Sequence, residues 1–308
     1  GIGACLFAIR FIPDYGLLRG TWYSIFHAIS AFCNAGFDLM GHWQPYSSMT
    51  RYADDPLVLG TVMALIVLGG IGFFVWDDIA KNQWHFRNYT LQTKVVLTTT
   101  ALLLILPFLW FWLCEFVHWN GMSTGKQALS ALFQTVSPRT AGFNNVDLNQ
   151  LSGGSKLLTI LLMLVGGSPS STAGGIKTTT LAILLLALRA AFTSDHQVHC
   201  FGRRIPAQVI TRTLVVSVLY GTLFLVASMA LIQLEPVTME EALFECASAI
   251  GTVGLTLGIT PELGAVSKGI LILLMYLGRV GGLTLVYAVS GTGKRLHYTL
   301  PEESIGIG

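Results

Sequence analysis

Charge is scarce in this sequence. Asp, Glu, Lys and Arg make up 11% of 308 residues, against 53% hydrophobic residues, whereas a soluble domain carries roughly 25% charged residues. An ordinary soluble fold is therefore excluded. A net charge of +2 removes any electrostatic case for binding nucleic acid. Cysteine is sparse as well: Cys5, Cys33, Cys114, Cys200 and Cys246 are odd in number and scattered with no CxxC pair, which argues against a disulfide framework or a zinc site. His196, His199 and Cys200 form the only cluster with metal-like spacing, and their polar loop beside Arg203 and Arg204 reads as a solvated connector or partner-docking loop. No acid–base or nucleophile constellation is present. Ser170 lies outside a GxSxG setting, and Gly174-Gly-Ile-Lys177-Thr178 lacks both the Gly before the Lys and the preceding strand that a phosphate loop needs. The chain reads as a non-enzyme.

Long uncharged apolar runs take the place of the missing charge. Leu57 to Trp76, Val95 to Cys114, Leu157 to Ile176 and Thr213 to Leu234 each approach the ~20 residues that span a hydrocarbon core, and the mean hydropathy is +0.64. Two further stretches are each interrupted by one cation: Ile270 to Thr292 holds Arg279, and the third run continues past Lys177 to Leu188. The expected class is an all-α polytopic membrane protein. The chain begins at Gly1, and the apolar stretch Ile2 to Ile9 is too short to span. With no basic segment and no small-residue cleavage site before Arg10, it reads as the end of a helix rather than a signal peptide, and upstream sequence is expected.

A pattern recurs between the runs. Asn34-Ala35-Gly36-Phe37, Thr140-Ala141-Gly142-Phe143 and Thr252-Val253-Gly254-Leu255 each end a segment too short to cross a bilayer and precede an apolar run. Shifts of 106 and 218 residues superimpose the glycines, and with them Ser24, Ser130 and Ala242, then Phe26, Leu132 and Phe244. From Gly142 to Gly166 and from Gly254 to Gly278 the spacing is 24, and Leu68-Gly69-Gly70 follows Gly36 at 33, the difference being the polar insertion around Gln44 to Pro56. Each spacing predicts a helix break. An internal repeat of helix (M1), half-helix, extended loop and helix (M2) therefore organises the chain. The expected divisions are 1–86 for repeat two, 87–200 for repeat three, 201–292 for repeat four and 293–308 for a C-terminal tail.

An extended, Gly-containing loop at membrane depth leaves its carbonyls unpaired, which is tolerated only where they are buried in protein or line a cavity. Rings of such carbonyls replace a cation's hydration shell. The half-helices carry start signals: Thr238-x-x-Glu241 and Thr124-x-x-Gln127 have the form of a capping box, and Thr21 offers an N-cap. Their C-terminal ends, each roughly half a negative charge, then point at the loops. With these loops outside, nine of the eighteen cations lie inside (Lys81, Arg87, Lys94, Arg189, Arg203, Arg204, Arg212, Lys294 and Arg295), in the sense of the positive-inside rule. The outer side holds six, and Arg139, Lys177 and Arg279 lie in the path itself. Acidic residues lean outward, which concentrates cations at that mouth.

The segments SAFCNAGFDLMG (30–41), SPRTAGFNNVDL (137–148), GGSPSSTAGGIKTTT (166–180), IGTVGLTLGITPEL (250–263) and LGRVGGLT (277–284) resemble the potassium-transporter superfamily of bacterial Ktr and Trk and plant HKT proteins, most of all the KtrB type of membrane subunit. The resemblance covers the whole chain. It implies four M1–half-helix–M2 repeats around a central pore, of which this sequence holds repeats two to four. It implies a selectivity filter at Asn34 to Phe37, Thr140 to Phe143 and Thr252 to Leu255, with potassium held by backbone carbonyls, and sodium as a stimulating ion. Gly166, Gly167, Ser168, Pro169, Ser170, Ser171, Thr172, Ala173, Gly174 and Gly175 break the third-repeat M2 and must face a cavity; by resemblance they are an intramembrane gate. Arg279, aligned with Gly167 and Gly70, is expected beneath the filter with carbonyl or hydroxyl partners supplied by that loop, because a buried Arg is costly at membrane depth. Lys177 is read as reaching either this path or the cytoplasmic interface.

The connectors Asp77 to Thr93 and Phe192 to Pro206 leave no room for a regulatory domain. The resemblance supplies one on another chain: a cytosolic KtrA-like ring of RCK subunits that carries the nucleotide. It also implies a homodimer with the tail Lys294 to Gly308 at the contact, in a bacterial plasma membrane. An ion-coupled secondary transporter, with sodium as transported or coupling ion, is the alternative; a repeated pore unit rather than an inverted repeat argues against it.

Overall fold

A computed structural model describes residues 1–42, 46–83, 85–119, 121–193, 197–282 and 284; the tail, 293–308, lies outside them. Among the described residues the regular elements are helices, apart from a hairpin of β1 (His199–Cys200) and β2 (Arg203–Arg204) in the last polar connector. The helices come in three successive sets. The first is α1 (Ile2–Tyr15), α2 (Leu17–Phe32) and α3 (Pro56–Ile71), with α3 turning into α4 (Phe73–Asn82). The second is α5 (Leu91–Trp110), α6 (Thr124–Val136), α7 (Gly153–Leu164) and α8 (Thr178–Phe192), and the third is α9 (Ala207–Leu234), α10 (Met239–Gly251) and α11 (Ala265–Val280). In each set the middle helix is the half-helix.

Packing follows from which faces are apolar. Phe7, Phe11, Met40, Val58, Val62 and Phe133 join α1, α2, α3 and α6 in one core, and Phe111, Met163, Tyr220, Phe244, Ile250 and Leu271 join the later helices in a second. The C-terminal halves of α6 and α10 are largely buried between the long helices, whereas α2 leaves Trp22, Ile25 and Ile29 exposed. Large apolar side chains of α5 and α9, such as Leu102, Ile105, Leu106, Leu225 and Val226, face outward, as lipid contact requires. Leu91–His118 and Ala207–Leu234 are long and apolar enough to cross a membrane, and α3 with α4 is a third, bent candidate.

Three expectations are corrected. Thr238 and Glu241 form the capping box reciprocally, but α6 starts one residue earlier than its Thr124 signal implied, with Ser123 as N-cap and no side-chain cap bond. Thr21 caps nothing: Gly16, at φ 78, reverses the chain so tightly that α2 begins at Leu17, and the Thr21 hydroxyl donates back to Leu17 O at 2.6 Å. The M2 breaks in the first and third sets do not fall at Gly69-Gly70 and Gly278. Both helices run past these residues and end at Gly72 (φ 99) and Gly281 (φ 90), and at Gly72 the axis turns by 90°. Gly69 and Gly278 serve a different end, close approach. A Cβ on either would lie 1.9 Å from Phe32 O or 2.1 Å from Ile250 O, at the C-terminal ends of α2 and α10.

A carboxylate or its hydroxyl partner ties the outer end of each M1 to the start of the following M2. Tyr52 donates to Asp14 Oδ2 at 2.7 Å. Glu115, buried at the end of a π-turn (Phe111–Glu115), accepts from Ser152 N at 3.1 Å, from the Ser152 hydroxyl at 2.5 Å and from Trp119 Nε1 at 3.2 Å. Glu235 accepts from Gly264 N at 2.8 Å and Ser267 Oγ at 2.6 Å, bonds that hold its carboxyl below the usual range. Negative charge on a helix N-terminus is favourable in itself; here it also fixes M1 against M2. Because Glu115 is 4% exposed whereas Glu235 lies at the surface, Glu115→Ala leaves buried donors unpaired and should cost about 2–3 kcal/mol. Thermal unfolding of the detergent-solubilised protein should therefore drop further for Glu115→Ala than for Glu235→Ala.

Candidate functional site

The three glycine loops share one backbone conformation. Asn34 (φ 49), Thr140 (φ 67) and Thr252 (φ 53) are left-handed, and two residues later Gly36 (φ 72), Gly142 (φ 82) and Gly254 (φ 95) are positive again. Alternating the sign of φ turns the peptide planes so that the loop neither coils nor pleats, and non-glycine residues adopt such angles only under tertiary constraint. The constraint comes from the end of the preceding half-helix. Ala35 N donates to Ser30 O at 2.9 Å, Ala141 N to Ser137 O at 3.0 Å and Val253 N to Ser248 O at 2.8 Å. The same three serines reach forward with their hydroxyls: Ser30 Oγ donates to Phe37 O at 2.7 Å, Ser137 Oγ donates to Phe143 O, and Ser248 Oγ accepts from Gly254 N at 3.0 Å. Sequence reasoning missed these serines, although a Ser five or six residues before each glycine was there to be seen.

The loops also touch one another. A Cβ on Gly36 would lie 2.2 Å from Ala141 O, and one on Gly142 would lie 2.0 Å from Val253 O, whereas Gly254 has open space on that side among the described residues. Glycine is thus needed twice over, for its φ and because the neighbouring loop's carbonyl oxygen occupies the place of a side chain. All three glycines line one cavity of about 620 Å³ with Asp38 and Asp147 at its outer rim. Ala141, Phe143, Val253 and Leu255 are buried behind the loops, while Phe37 is 70% exposed and Ala35 faces a second cavity. The insertion after the first loop is stitched to the second: Met49 N donates to Asn144 O at 2.7 Å and Asn144 N to Ser48 Oγ at 3.1 Å.

The broken M2 of the second set lies against the inner side of the loops and meets all three sets. Its ends are closed by Gly166 N to Ile176 O at 2.9 Å and Ile176 N to Leu164 O at 3.1 Å. Toward the first set, Ser168 N donates to Gly70 O at 3.0 Å, Ser170 O accepts from Phe73 N at 3.0 Å, and Thr172 Oγ1 donates to Phe32 O at 3.1 Å. Toward the third, Arg279 Nη1 donates to Thr172 O at 2.7 Å, and Gly174 packs so closely on Thr252 that a Cβ would lie 2.1 Å from its Oγ1. Within the segment, Ser171 Oγ donates to Ser168 O at 2.6 Å and accepts from Ala173 N, and Thr178 N donates to Gly167 O at 3.1 Å. Pro169 O abuts Gly72, and Gly175 (φ 66) turns the chain back toward Gly166. Helix is replaced here by an irregular but hydrogen-bonded fold.

Arg279 has the carbonyl partner foreseen for it and faces a cavity of about 500 Å³ that also meets Asn34, Thr252 and Gly254. Lys177 stays with the segment, its Nζ donating to Ala173 O at 2.7 Å. Among the described residues Arg139 is the buried cation, 8% exposed with its Nε unpartnered, beside Thr100, Asn34 and Gly167. His196 lies outside the described residues, and among those described no group of three His, Cys, Asp or Glu is placed to hold a metal.

Residues 3–293 match the family model described as TrkH, cation transport protein. The chain belongs to this family. The potassium/sodium uptake protein NtpJ of Enterococcus hirae is 41% identical over 318 residues, covering all of this chain and 68% of that protein. Ktr system potassium uptake protein B is 38% identical in Vibrio alginolyticus, over 100% of this chain and 67% of the relative, and 37% identical in Bacillus subtilis, over 94% and 65%. The chain thus spans about two thirds of the length of these TrkH-family relatives. The fold is that of the potassium transporter TrkH from Vibrio parahaemolyticus, with a TM-score of 0.76 at 20% identity over 94% of this chain and 62% of that one.

The two reasons for glycine separate experimentally. Gly121 has a φ of 89 with nothing near it, and Gly142 has a φ of 82 with Val253 O in the way. Gly121→Ala should cost about 1–2 kcal/mol for the left-handed backbone alone, and Gly142→Ala should cost a further ~1–3 kcal/mol of overpacking. Thermal unfolding of the two variants compares them directly.

Proposed function

We propose that this chain forms the larger part of a potassium pore through the plasma membrane, in which the three glycine loops act as a selectivity filter and potassium is the transported ion. What carries the reading is the placement of Gly36, Gly142 and Gly254 on one cavity, each of the first two in contact with a carbonyl of the next loop. A dehydrated cation needs oxygens at close range on several sides, and loops that abut through their backbones supply them. Asp38 and Asp147 at the rim raise the local cation concentration. Uptake is channel-like and driven by the membrane potential, about 2.3 kcal/mol per charge per 100 mV. Relatives named as potassium and potassium/sodium uptake proteins support the ion class; in this reading sodium is a stimulating ion.

Residues 166–175 with Arg279 form the gate in this reading. Arg279 holds Thr172 O from one side while Phe32 O accepts the Thr172 hydroxyl from the other, so one residue of the segment bridges two sets of helices beneath the filter. A fixed positive charge there opposes cation passage, and its displacement opens the path. The units are 1–86, 87–200 and 201–292. In the same reading control comes from a cytosolic, nucleotide-binding ring of RCK type acting on a homodimer; relatives named as parts of a Ktr system support only that a further component exists.

Rubidium uptake into vesicles holding the full-length protein tests both parts. Gly254→Ser should reduce uptake and shift preference toward sodium, and unaltered uptake and preference would overturn the filter assignment. Arg279→Ala should raise unregulated flux by at least about tenfold, as expected if the barrier it adds exceeds ~1.4 kcal/mol; flux and regulation equal to wild type would remove Arg279 from the gate.

A further inference from the structure

The position nine residues before each loop glycine is occupied by His27, Phe133 and Glu245. All three are buried, at 0%, 0% and 6% exposure, on the loop-facing sides of α2, α6 and α10. Two of them hold the segment just outside the glycine. His27 Nε2 accepts from Leu39 N at 3.3 Å, with Nδ1 2.7 Å from Tyr23 O and the ring edge-on to Phe7 and Phe11. Beside Phe133 the tie moves one turn back, where Ser130 Oγ accepts from Asn145 Nδ2 at 3.2 Å. Glu245 makes the strongest tie of the three. Its Oε2 accepts from Thr256 Oγ1 at 2.8 Å and its Oε1 from Thr260 Oγ1 at 2.5 Å, the two hydroxyls lie 3.0 Å apart, and Thr256 Oγ1 accepts from Gly258 N at 2.9 Å.

Among the described residues Glu245 forms no ion pair, the pairs being Arg10–Asp55, Lys81–Asp77, Lys126–Asp54 and Lys156–Glu240; its carboxyl is bonded by hydroxyl donors, and Arg279 lines the same cavity of about 500 Å³. A buried carboxylate is costly unless it is well hydrogen-bonded or paired, and the position tolerates an imidazole and a phenyl ring in the other two sets. Thr256, Gly258 and Thr260 line the same cavity as Gly36, Gly142 and Gly254, and Glu245 lines the neighbouring cavity with Thr252, Gly254, Thr256 and Thr260.

We propose that Glu245 is a positioning residue for cation entry at the Gly254 loop: its carboxylate clamps Thr256 and Thr260, fixes the chain immediately outside the filter, and sets the loop's affinity for a monovalent cation. This rests on the filter reading above and adds to it a determinant outside the glycine motif. The clamp makes the third loop unlike the other two, because a charge-assisted bond is stronger than a neutral one.

The test is rubidium uptake, with sodium as competitor, in vesicles of the full-length protein with Glu245→Gln, Thr260→Val and the double variant. The expected result is a rise of about tenfold in apparent KM for Glu245→Gln, the size of losing one bond to a charged group, with Vmax per folded protein within about twofold, since conduction beyond the entry site is untouched. Thr260→Val should move KM the same way by less, and the double variant should be no worse than Glu245→Gln. An unchanged KM and sodium competition in Glu245→Gln and Thr260→Val overturns the proposal, as does a loss of Vmax in step with folded protein at constant KM. Should Glu245→Gln fail to fold, Thr260→Val carries the decision by the same criteria. A Gly254→Ser variant run alongside keeps the two readings apart: no effect there strikes the filter assignment, whereas an effect there with none at Glu245 or Thr260 strikes this inference alone.

Discussion

The contact on which the rest depends is one between backbones. A carbonyl oxygen of one loop lies where the side chain of the next would be, at Gly36 against Ala141 and at Gly142 against Val253. Such contacts form only if each loop is held independently to a fraction of an ångström, and the sequence spends its few buried polar groups on that task. Ser30, Ser137 and Ser248 bind loop backbone from the half-helix ends, and Gly69 and Gly278 let M2 come close enough to α2 and α10 to keep those ends in place. At the outer surface the same rigidity comes from carboxylates: Asp14, Glu115 and Glu235 lock each M1 to its M2. In a lipid solvent, where apolar packing drives helix association weakly, hydrogen bonds and close backbone approach are the available means.

The segment from Gly166 to Gly175 breaks the repeat in a way that the surrounding helices are built to accept. The 90° bend at Gly72 exposes Phe73 N to Ser170 O, and an uninterrupted α3 would have used that donor internally. Thr172 is shared between Phe32 and Arg279. An irregular backbone at this depth is tolerated because neighbouring sets supply its partners, as membrane burial demands.

The loops were legible because glycine at a fixed distance is a signal that no other residue mimics: both φ and the neighbouring oxygen exclude a side chain. The broken M2 was legible for a similar reason, since a run of Gly, Ser and Pro cannot continue a helix. Helix boundaries were less so. Thr124 has the form of a cap, yet Ser123 stands one residue earlier, and Thr21 loses its role to the turn at Gly16. The Gly69-Gly70 pair reads as a break, whereas the break falls at Gly72, because one glycine motif serves packing and another serves bending. Glu245 could not be found by matching the repeats, since the equivalent residues, His27 and Phe133, share no chemistry with it. Only the hydroxyls around it reveal its place.

The contact between loops also has a sense. Gly36 and Gly142 each receive the oxygen of the loop that follows in the chain, so the two sides of the contact are unlike, as in the head-to-tail interfaces that build rings rather than pairs. Mechanical dependence therefore runs one way. A change in the bulk of Val253 displaces an oxygen that rests on Gly142, and a displaced Gly142 loop carries Ala141 O away from Gly36, whereas among the described residues nothing rests in that manner on Gly254. Substitutions along the three loops should not be interchangeable, even where the residues are identical.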